Sequence, residues 1–479
     1  MRNASSRRGF LHALTAGAAL GALPRKGFSE TPARRPNILL ALADDWSWPH
    51  SFTTDVKVVK TPAYDRVCRE GVRFTNAFVS APSCTASRAA ILTGQWHWRL
   101  EEAANLGGVL KQDKFPVYPA LLGAAGYFVG AVGKGPDGRQ QNAPQGPIYK
   151  DFDAFMAARP NGKPFVLWYG SRDPHRPYDK GCGVKSGMNP ADVQIPACLP
   201  DSPEVRSDLC DYYWEIQRYD AAVGEMLRKL EAAGELENTI VVMTGDNGLP
   251  FPRCKSNLYD TGTKVPLAVR WGAQVKPGRV VSDFVSLSDL APTFLEAAGV
   301  RPPPDMTARS LTSLLRSEQS GQIEPARDHV LTGKERHCQA QEKGSPGGYP
   351  CRALNTAAYL YIRNFKPERW PAGVALAADC YGGMAYHDID NGPCKTYMIE
   401  HKDDPKVKPL FGLGFGKRPA EELYDLKKDP GQLVNVADKP DYTAVKKELA
   451  DRLMAELAAS RDPRVLGNGD RFDTYADRR

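Results

Sequence analysis

Apolar and polar positions fall into two textures along this chain. From residue 37 to about residue 300, short apolar runs stand between Gly, Pro and acidic residues. Asn37–Ala43 (NILLALA) is apolar after its first residue and is bounded by Pro36 and by Asp44-Asp45. Its length and flanks predict a strand buried on both faces. Residues 127–132 (YFVGAV), 165–169 (FVLWY) and 239–244 (TIVVMT) repeat the pattern. They end at Gly133-Lys134, at Ser171-Arg172-Asp173-Pro174-His175 and at Gly245-Asp246-Asn247-Gly248. Val72–Phe78 and 265–271 read as two more strands. Residues 64–70, 119–125, 205–234 and 287–298 read as helices. In the longest, Tyr212, Ile216, Tyr219, Val223, Met226 and Leu230 recur at helical spacing as a core-facing stripe, and Gly234 stops it.

Strands alternating with helices predict an α/β fold in which a large mixed, mostly parallel sheet is sandwiched by helices. Ligands of such folds bind beyond the carboxyl ends of the strands. Four predicted strands end in Asp44-Asp45, Lys134, His175 and Asp246-Asn247. One such ending is an ordinary turn; four of them point to a site along one edge. Near residue 320 the texture changes, after Arg301-Pro302-Pro303-Pro304 and a polar stretch at 317–324. Residues 329–333, 352–354 and 359–365 read as antiparallel strands, 343–350 as a loop and 442–459 as a terminal helix. The expected division is therefore a leader at 1–35, a catalytic domain at 36–320 and a smaller C-terminal α+β domain at 321–479, with an antiparallel sheet.

The formal charge of +7 belongs mostly to the leader. Residues 1–35 hold seven basic residues against Glu30 alone, which leaves about +1 for the rest. Charge therefore implies no nucleic-acid surface. Ser6-Arg7-Arg8-Gly9-Phe10-Leu11 precedes an Ala/Gly-rich run too short to span a bilayer. It resembles a twin-arginine export signal, so the expected location is periplasmic or secreted, with the Tat machinery as a partner and no transmembrane anchor. Ten cysteines in an exported chain make disulfides plausible. Cys338 with Cys351 and Cys380 with Cys394 could close short loops, and Cys182, Cys198 and Cys210 could supply another bridge. Cys68 is the candidate for a buried free thiol.

Asp44, Asp45, Asp246 and Asn247 offer hard oxygen ligands that suit Ca²⁺ or Mg²⁺ rather than zinc. Cys84 and Arg88 share one face of a short helix, whose free N–H groups favour an anion. Lys134, His175 and Arg88 add positive charge and a proton carrier. A divalent cation ringed by such groups suits a tetrahedral oxyanion.

From Pro36 onward the chain resembles the type I sulfatases, a family of alkaline-phosphatase-like fold. The resemblance rests on Cys84-Thr85-Ala86-Ser87-Arg88-Ala89-Ala90-Ile91-Leu92-Thr93-Gly94 following the Asp-Asp strand end. It implies that Cys84 is oxidised by a maturation enzyme to formylglycine (3-oxoalanine), whose hydrate is the nucleophile. It implies one calcium ion held by Asp44, Asp45, Asp246 and Asn247 with an oxygen of modified Cys84. Arg88 would steady the hydrate, Lys134 would contact it and the sulfate, and His175 would protonate the leaving group. Lys264-Val265-Pro266 matches a family segment that follows the sulfate-binding lysine by about ten residues, which assigns that role to Lys255. The reaction implied is double displacement, with one hydrate hydroxyl attacking sulfur and the other expelling sulfate.

Many members carry a histidine two residues after the lysine of Gly-Lys; here the segment is Gly133-Lys134-Gly135-Pro136-Asp137-Gly138. Asp137 and His97 are the candidates to replace it, and Asp137 also reads as a plain turn residue. Within the family the likeness is strongest to the heparan N-sulfatase (sulfamidase) branch. It rests on Asp246-Asn247-Gly248-Leu249-Pro250-Phe251-Pro252, Asn257-Leu258-Tyr259, Asp173-Pro174-His175-Arg176 and Tyr349-Pro350 with Arg352. A sulfated carbohydrate is the implied substrate, by S–O or S–N cleavage, with Trp96, Trp98, Arg336, His337 and Arg352 as candidate sugar contacts. The alternatives are a phosphate or phosphonate monoester hydrolase on the same scaffold and a non-catalytic sulfoglycan-binding protein.

Overall fold

The sheet is organised around Asn37–Ala43, β1, whose seven residues are all buried. Its side chains alternate between two cores. Leu39, Ala41 and Ala43 face one core, and Ile38, Leu40 and Leu42 the other. Burying each of the leucines and the isoleucine contributes roughly 1.5–3 kcal/mol, and the one polar residue of the strand, Asn37, stands at its start. The computed structural model describes residues 35–54, 56–136 and 143–478; the twin-arginine leader and Asp137 lie outside them.

The strands are β1, β2 (Val72–Phe78), β3 (Phe128–Gly133), β4 (Ile148–Tyr149), β5 (Phe165–Gly170), β6 (Thr239–Gly245), β7 (Leu267–Arg270), β8 (Arg279–Ser286), β9 (His329–Lys334), β10 (Cys351–Thr356), β11 (Tyr359–Asn364) and β12 (Glu421–Asp425). The first eight form one sheet in the order β4-β3-β5-β1-β6-β7-β2-β8, and the last four a second in the order β12-β11-β10-β9. Only β7 runs against its neighbours in the large sheet; β4, β3, β5, β1 and β6 are mutually parallel. The small sheet is antiparallel throughout. This is the α/β architecture with an antiparallel C-terminal sheet that the sequence predicts, and Arg35–Arg479 forms one compact unit.

Helix Pro203–Ala232 covers one face of the sheet. Ser202 caps its start by accepting from the Val205 N–H, and Pro203 occupies the first turn. Tyr212, Ile216, Tyr219 and Val223 from its stripe pack with Leu39, Val241 and Met243. Helix Cys84–Thr93 lies on the other side and is buried along its whole length. It ends at Gly94, whose φ of 62° is the left-handed turn that glycine adopts without steric cost. Among the described residues no helix is long and apolar enough to cross a membrane.

All ten cysteines are free thiols, so none of the expected disulfides is formed. Their environments explain it. Cys338 packs with Cys84 and Leu106, whereas Cys351 sits among Tyr349, Ala353 and Ile362. The Cys380 thiol donates to the Gln339 carbonyl at 3.4 Å, while Cys394 is buried in the large core. Cys182 turns to Asp211, and Cys198 pairs by hydrogen bond with Cys254. Cys68 is a buried thiol, as expected.

Candidate active site at the carboxyl edge of the large sheet

Parallel alignment of β3, β5, β1 and β6 brings Lys134, His175, Asp44-Asp45 and Asp246-Asn247 to one edge. Backbone hydrogen bonds carry the strand register into the loops: Asp246 N–H to Ala43, Ser171 N–H to Leu42, Lys134 N–H to Gly170 and Asp44 N–H to Asp173. Gly133, with φ 80°, lets β3 pass so close to Gly170 that a Cβ would collide with its carbonyl. Asp45 adopts φ 77°, a conformation uncommon for a non-glycine residue. Tyr212 helps to hold it there, donating from its hydroxyl to the Asp45 carbonyl at 2.9 Å and accepting from the Ser47 N–H at 3.1 Å.

The side chains form a closed net. Arg88 donates from Nε to Asp246 Oδ2 at 2.7 Å and from Nη1 to the Lys134 carbonyl at 2.7 Å, and its Nη2 lies 3.6 Å from Asp44 Oδ1. Lys134 Nζ donates to Asp44 Oδ2 at 2.5 Å, and Lys255 Nζ to Asp45 Oδ2 at 2.8 Å. Asp246 Oδ1 accepts from the Asp45 N–H and from Asn247 Nδ2. His175 donates from Nδ1 to the Arg176 carbonyl at 2.5 Å, which leaves Nε2 for the cluster. One ligand atom each of Asp44, Asp45 and His175 lie within 4.8 Å of one another.

Electrostatics follow from this crowding. Burial works against the Asp44 carboxylate, yet Lys134 and Arg88 hold it well below the usual range. Asp45 goes the other way: burial, reinforced by Asp44, Asp390 and Asp246, outweighs Lys255 and raises it well above the usual range. His175 is lowered first by the Lys255 charge and then by burial. Burial pushes the Cys84 thiol up, so it is a poor thiolate.

The oxygens of this cluster suit a hard cation. Asp44 Oδ1, Asp45 Oδ1 and Asn247 Oδ1 are buried without a hydrogen-bond partner, a condition native structures rarely tolerate unless an ion or water completes it. Among Asp44, Asp45, Asp246, Arg88, Lys134 and Lys255 the formal charges cancel, so a bound divalent cation would leave the cluster at about +2, matched to an arriving oxyanion.

The structure therefore gathers Asp44, Asp45, Cys84, Arg88, Lys134, His175, Asp246, Asn247 and Lys255. Lys264 lies elsewhere, its Nζ 5.6 Å from the Trp48 ring centre and 5.8 Å from that of Phe78. The expected sugar contacts scatter. Arg352 is wholly buried between Asp462 and Glu335, and Trp98 packs 5.1 Å beneath its guanidinium. Arg336 is buried and donates to the Pro346 carbonyl. Trp96 lines a separate cavity of about 250 Å³ with Phe284, His329 and Glu456. These positions belong to the junction of β9 and β10 with the large sheet, which needs its charges and rings for packing. His97 bonds Ser80 Oγ and stacks edge-on to Trp98. Only His337 adjoins the site, its Nδ1 2.9 Å from Ser83 Oγ.

Two contributors escaped the sequence reading. Asp390 lies 3.3 Å from Lys255 Nζ, and its negative charge is felt by His175. Lys334 is clamped between Asp388 at 3.0 Å and Ser256 at 2.9 Å, beside the loop that carries Lys255. The acidic pair in Asp388-Ile389-Asp390 is the one local signal that marks this loop.

Comparison with known proteins identifies the family. A family model described as Sulfatase matches residues 36–146 and 136–300. Human N-sulphoglucosamine sulphohydrolase is 28% identical, over 90% of this chain and 92% of its own. The structure of BT4656 in complex with its substrate D-glucosamine-2-N,6-O-disulfate superposes with a TM-score of 0.63 at 20% identity, covering 90% of this chain and 98% of that one. Phosphonate monoester hydrolase SpPMH from Silicibacter pomeroyi gives 0.65 at 17% identity, over 90% and 96%. The chain belongs to the sulfatase family and is a hydrolase.

Proposed function

We propose that the chain is a calcium-dependent sulfatase acting on sulfated carbohydrate, with N-sulfoglucosamine or heparan-type glycans favoured, through formylglycine made from Cys84. The observation that carries this reading is the convergence of oxygen ligands, two lysines, Arg88 and His175 on a cysteine whose own thiol is disfavoured as a nucleophile. The name of the human relative supports the sugar. The twin-arginine segment supports export to the periplasm or beyond with the Tat machinery as a partner, and the Cys84-Thr85-Ala86-Ser87-Arg88 signature supports a maturation enzyme as another.

Asp44, Asp45, Asp246, Asn247 and an oxygen of converted Cys84 would hold calcium, which supplies the charge that polarises sulfate and makes an attacking hydroxyl acidic. Arg88 balances the carboxylates and fixes the start of its helix against β3 and β6. Lys134 and Lys255 exchange their present carboxylate partners for sulfate oxygens and place sulfur over residue 84. An anion on these two lysines offsets the positive charge that depresses His175, so its Nε2 gains the proton it must deliver to the departing oxygen or nitrogen. Residues 36–320 supply these groups, and residues 321–479 add His337, Lys334, Asp388 and Asp390 to the wall.

Mass spectrometry of tryptic peptide 74–88 from the native host tests the reading directly: formylglycine at position 84 is expected, and an intact thiol throughout would sink it. Likeness to a phosphonate monoester hydrolase supports a second reading on the same residues. Sulfate, phosphate and phosphonate esters of one leaving group separate the two, since dominant phosphorus-ester turnover would favour the second.

A further inference from the structure

The cavity at the reaction site continues past the groups used above. It has a volume of about 310 Å³ and is lined by Asp44, Lys134 and His175 together with three arginines, the buried Arg176 and the exposed Arg172 and Arg218. Two of the three are committed. Arg176 makes a bidentate pair with Asp208, 2.8 Å for each bond. Arg218 donates to Glu215 at 2.9 Å and lies 3.5 Å from Asp173. Among the described residues the Arg172 guanidinium has no ion-pair or hydrogen-bond partner, and it is exposed to the cavity. Because Glu215 and Asp173 are taken up by Arg218, they do not cancel its charge. Asp179, also exposed on this wall, is left as an acceptor for sugar hydroxyls.

Arg172 is also fixed relative to the chemistry. The His175 N–H donates to the Arg172 carbonyl at 2.8 Å, closing a four-residue turn with one residue at each end. The side chain that faces the leaving group and the unspent guanidinium therefore stand on one rigid turn at the end of β5. An unpaired guanidinium with five donors is suited to a planar carboxylate or a sulfate.

We propose that Arg172 binds a second anionic substituent, sulfate or carboxylate, on the glycan whose sulfate is removed, and so selects polyanionic over singly charged substrates. This rests on the sulfated-carbohydrate reading given above. The test compares N-sulfoglucosamine, glucosamine-2-N,6-O-disulfate and N-sulfoglucosamine linked to a uronic acid, with wild type, Arg172→Ala and Arg172→Lys, folding being checked by circular dichroism. The wild type is expected to prefer at least one doubly charged probe, and which one it prefers identifies the substituent. Arg172→Ala should reduce that preference in kcat/KM at least about tenfold, mainly through KM, with Arg172→Lys between the two. No preference in the wild type, or a preference unchanged in folded Arg172→Ala, overturns the proposal. Calorimetric binding of the same probes to Cys84→Ala protein, with and without Arg172→Ala, separates the two readings. An Arg172-dependent preference in binding by an enzyme that hydrolyses none of the probes would leave the subsite standing and the function refuted.

Discussion

Arg88 Nε meets Asp246 Oδ2 at 2.7 Å, and neither side chain is exposed to solvent at all. Such a pair holds only while both members are present, because removal of one leaves a buried charge uncompensated. Arg88→Ala is expected to cost roughly 3–5 kcal/mol in denaturant unfolding and to abolish turnover. Arg88→Lys keeps the charge but cannot reach Asp246, the Lys134 carbonyl and Asp44 together. It should fold and lose roughly a hundredfold in kcat; full activity would show that the fork geometry is dispensable.

Lys255 and Lys264 meet different partners: Lys255 the buried Asp45 carboxylate of the cluster at 2.8 Å, Lys264 the half-buried Asp260 at 3.9 Å and the faces of Trp48 and Phe78. Lys255→Ala should remove turnover in a folded protein, whereas Lys264→Ala should keep most of it. Loss of turnover in Lys264→Ala alone would mean that the sulfate-binding lysine has been misassigned.

Removal of divalent cations should be visible without any substrate. Chelation is expected to lower the thermal midpoint, because Asp44, Asp45 and Asn247 keep oxygens with no hydrogen-bond partner. Calcium at a hundred times its Kd would restore about 2.7 kcal/mol. If neither midpoint nor turnover responds to chelation and calcium, the oxygen cluster is not a cation site.

Glu215 gives the outer cavity a pH dependence. Burial, and then the neighbouring Asp173 charge, raise its carboxyl from 4.5 to about 7, against the pull of Arg218. A raised carboxyl means that the folded chain binds more protons than the unfolded one, so stability falls as pH rises from about 4.5 to about 7. Above that range the cavity holds one more negative charge, and KM for an anionic substrate is expected to rise. Glu215→Gln should flatten that limb of the KM profile; an unchanged limb assigns it to another group.

Much of the large sheet was legible because β1, β5 and β6 are buried on both faces and therefore read as unbroken apolar runs. β8 was not. Its sequence RVVSDFVS hides two buried charges, Arg279 on the carbonyls of Leu314 and Leu315, and Asp283 on the N–H groups of Ile323 and Glu324. β12 reads EELYD and looks like a surface segment, although Glu422 is buried and bonded to Tyr259, Asn364 and Tyr424. The site's floor was legible because parallel strand ends announce themselves with acidic residues. Its C-terminal wall was legible only at His337, since Asp390 and Lys334 reach it through packing between distant segments. The same lack of local signal put Arg352 into the expected sugar pocket, when on β10 it is buried against two carboxylates, Glu335 and Asp462.

Helix Cys84–Thr93 is buried from end to end, and Cys84 itself is 7% exposed. No protein-sized catalyst can grip the chain on both sides of such a residue once the sheet has closed over it. Any enzymatic conversion of its sulfur must therefore happen on a chain that has not yet folded, within the interval between synthesis and collapse. Chains that fold first are shut out for as long as they stay folded. A preparation is then expected to be a fixed mixture of convertible and forfeited molecules, whose ratio is set by the race between two rates rather than by anything in the finished structure.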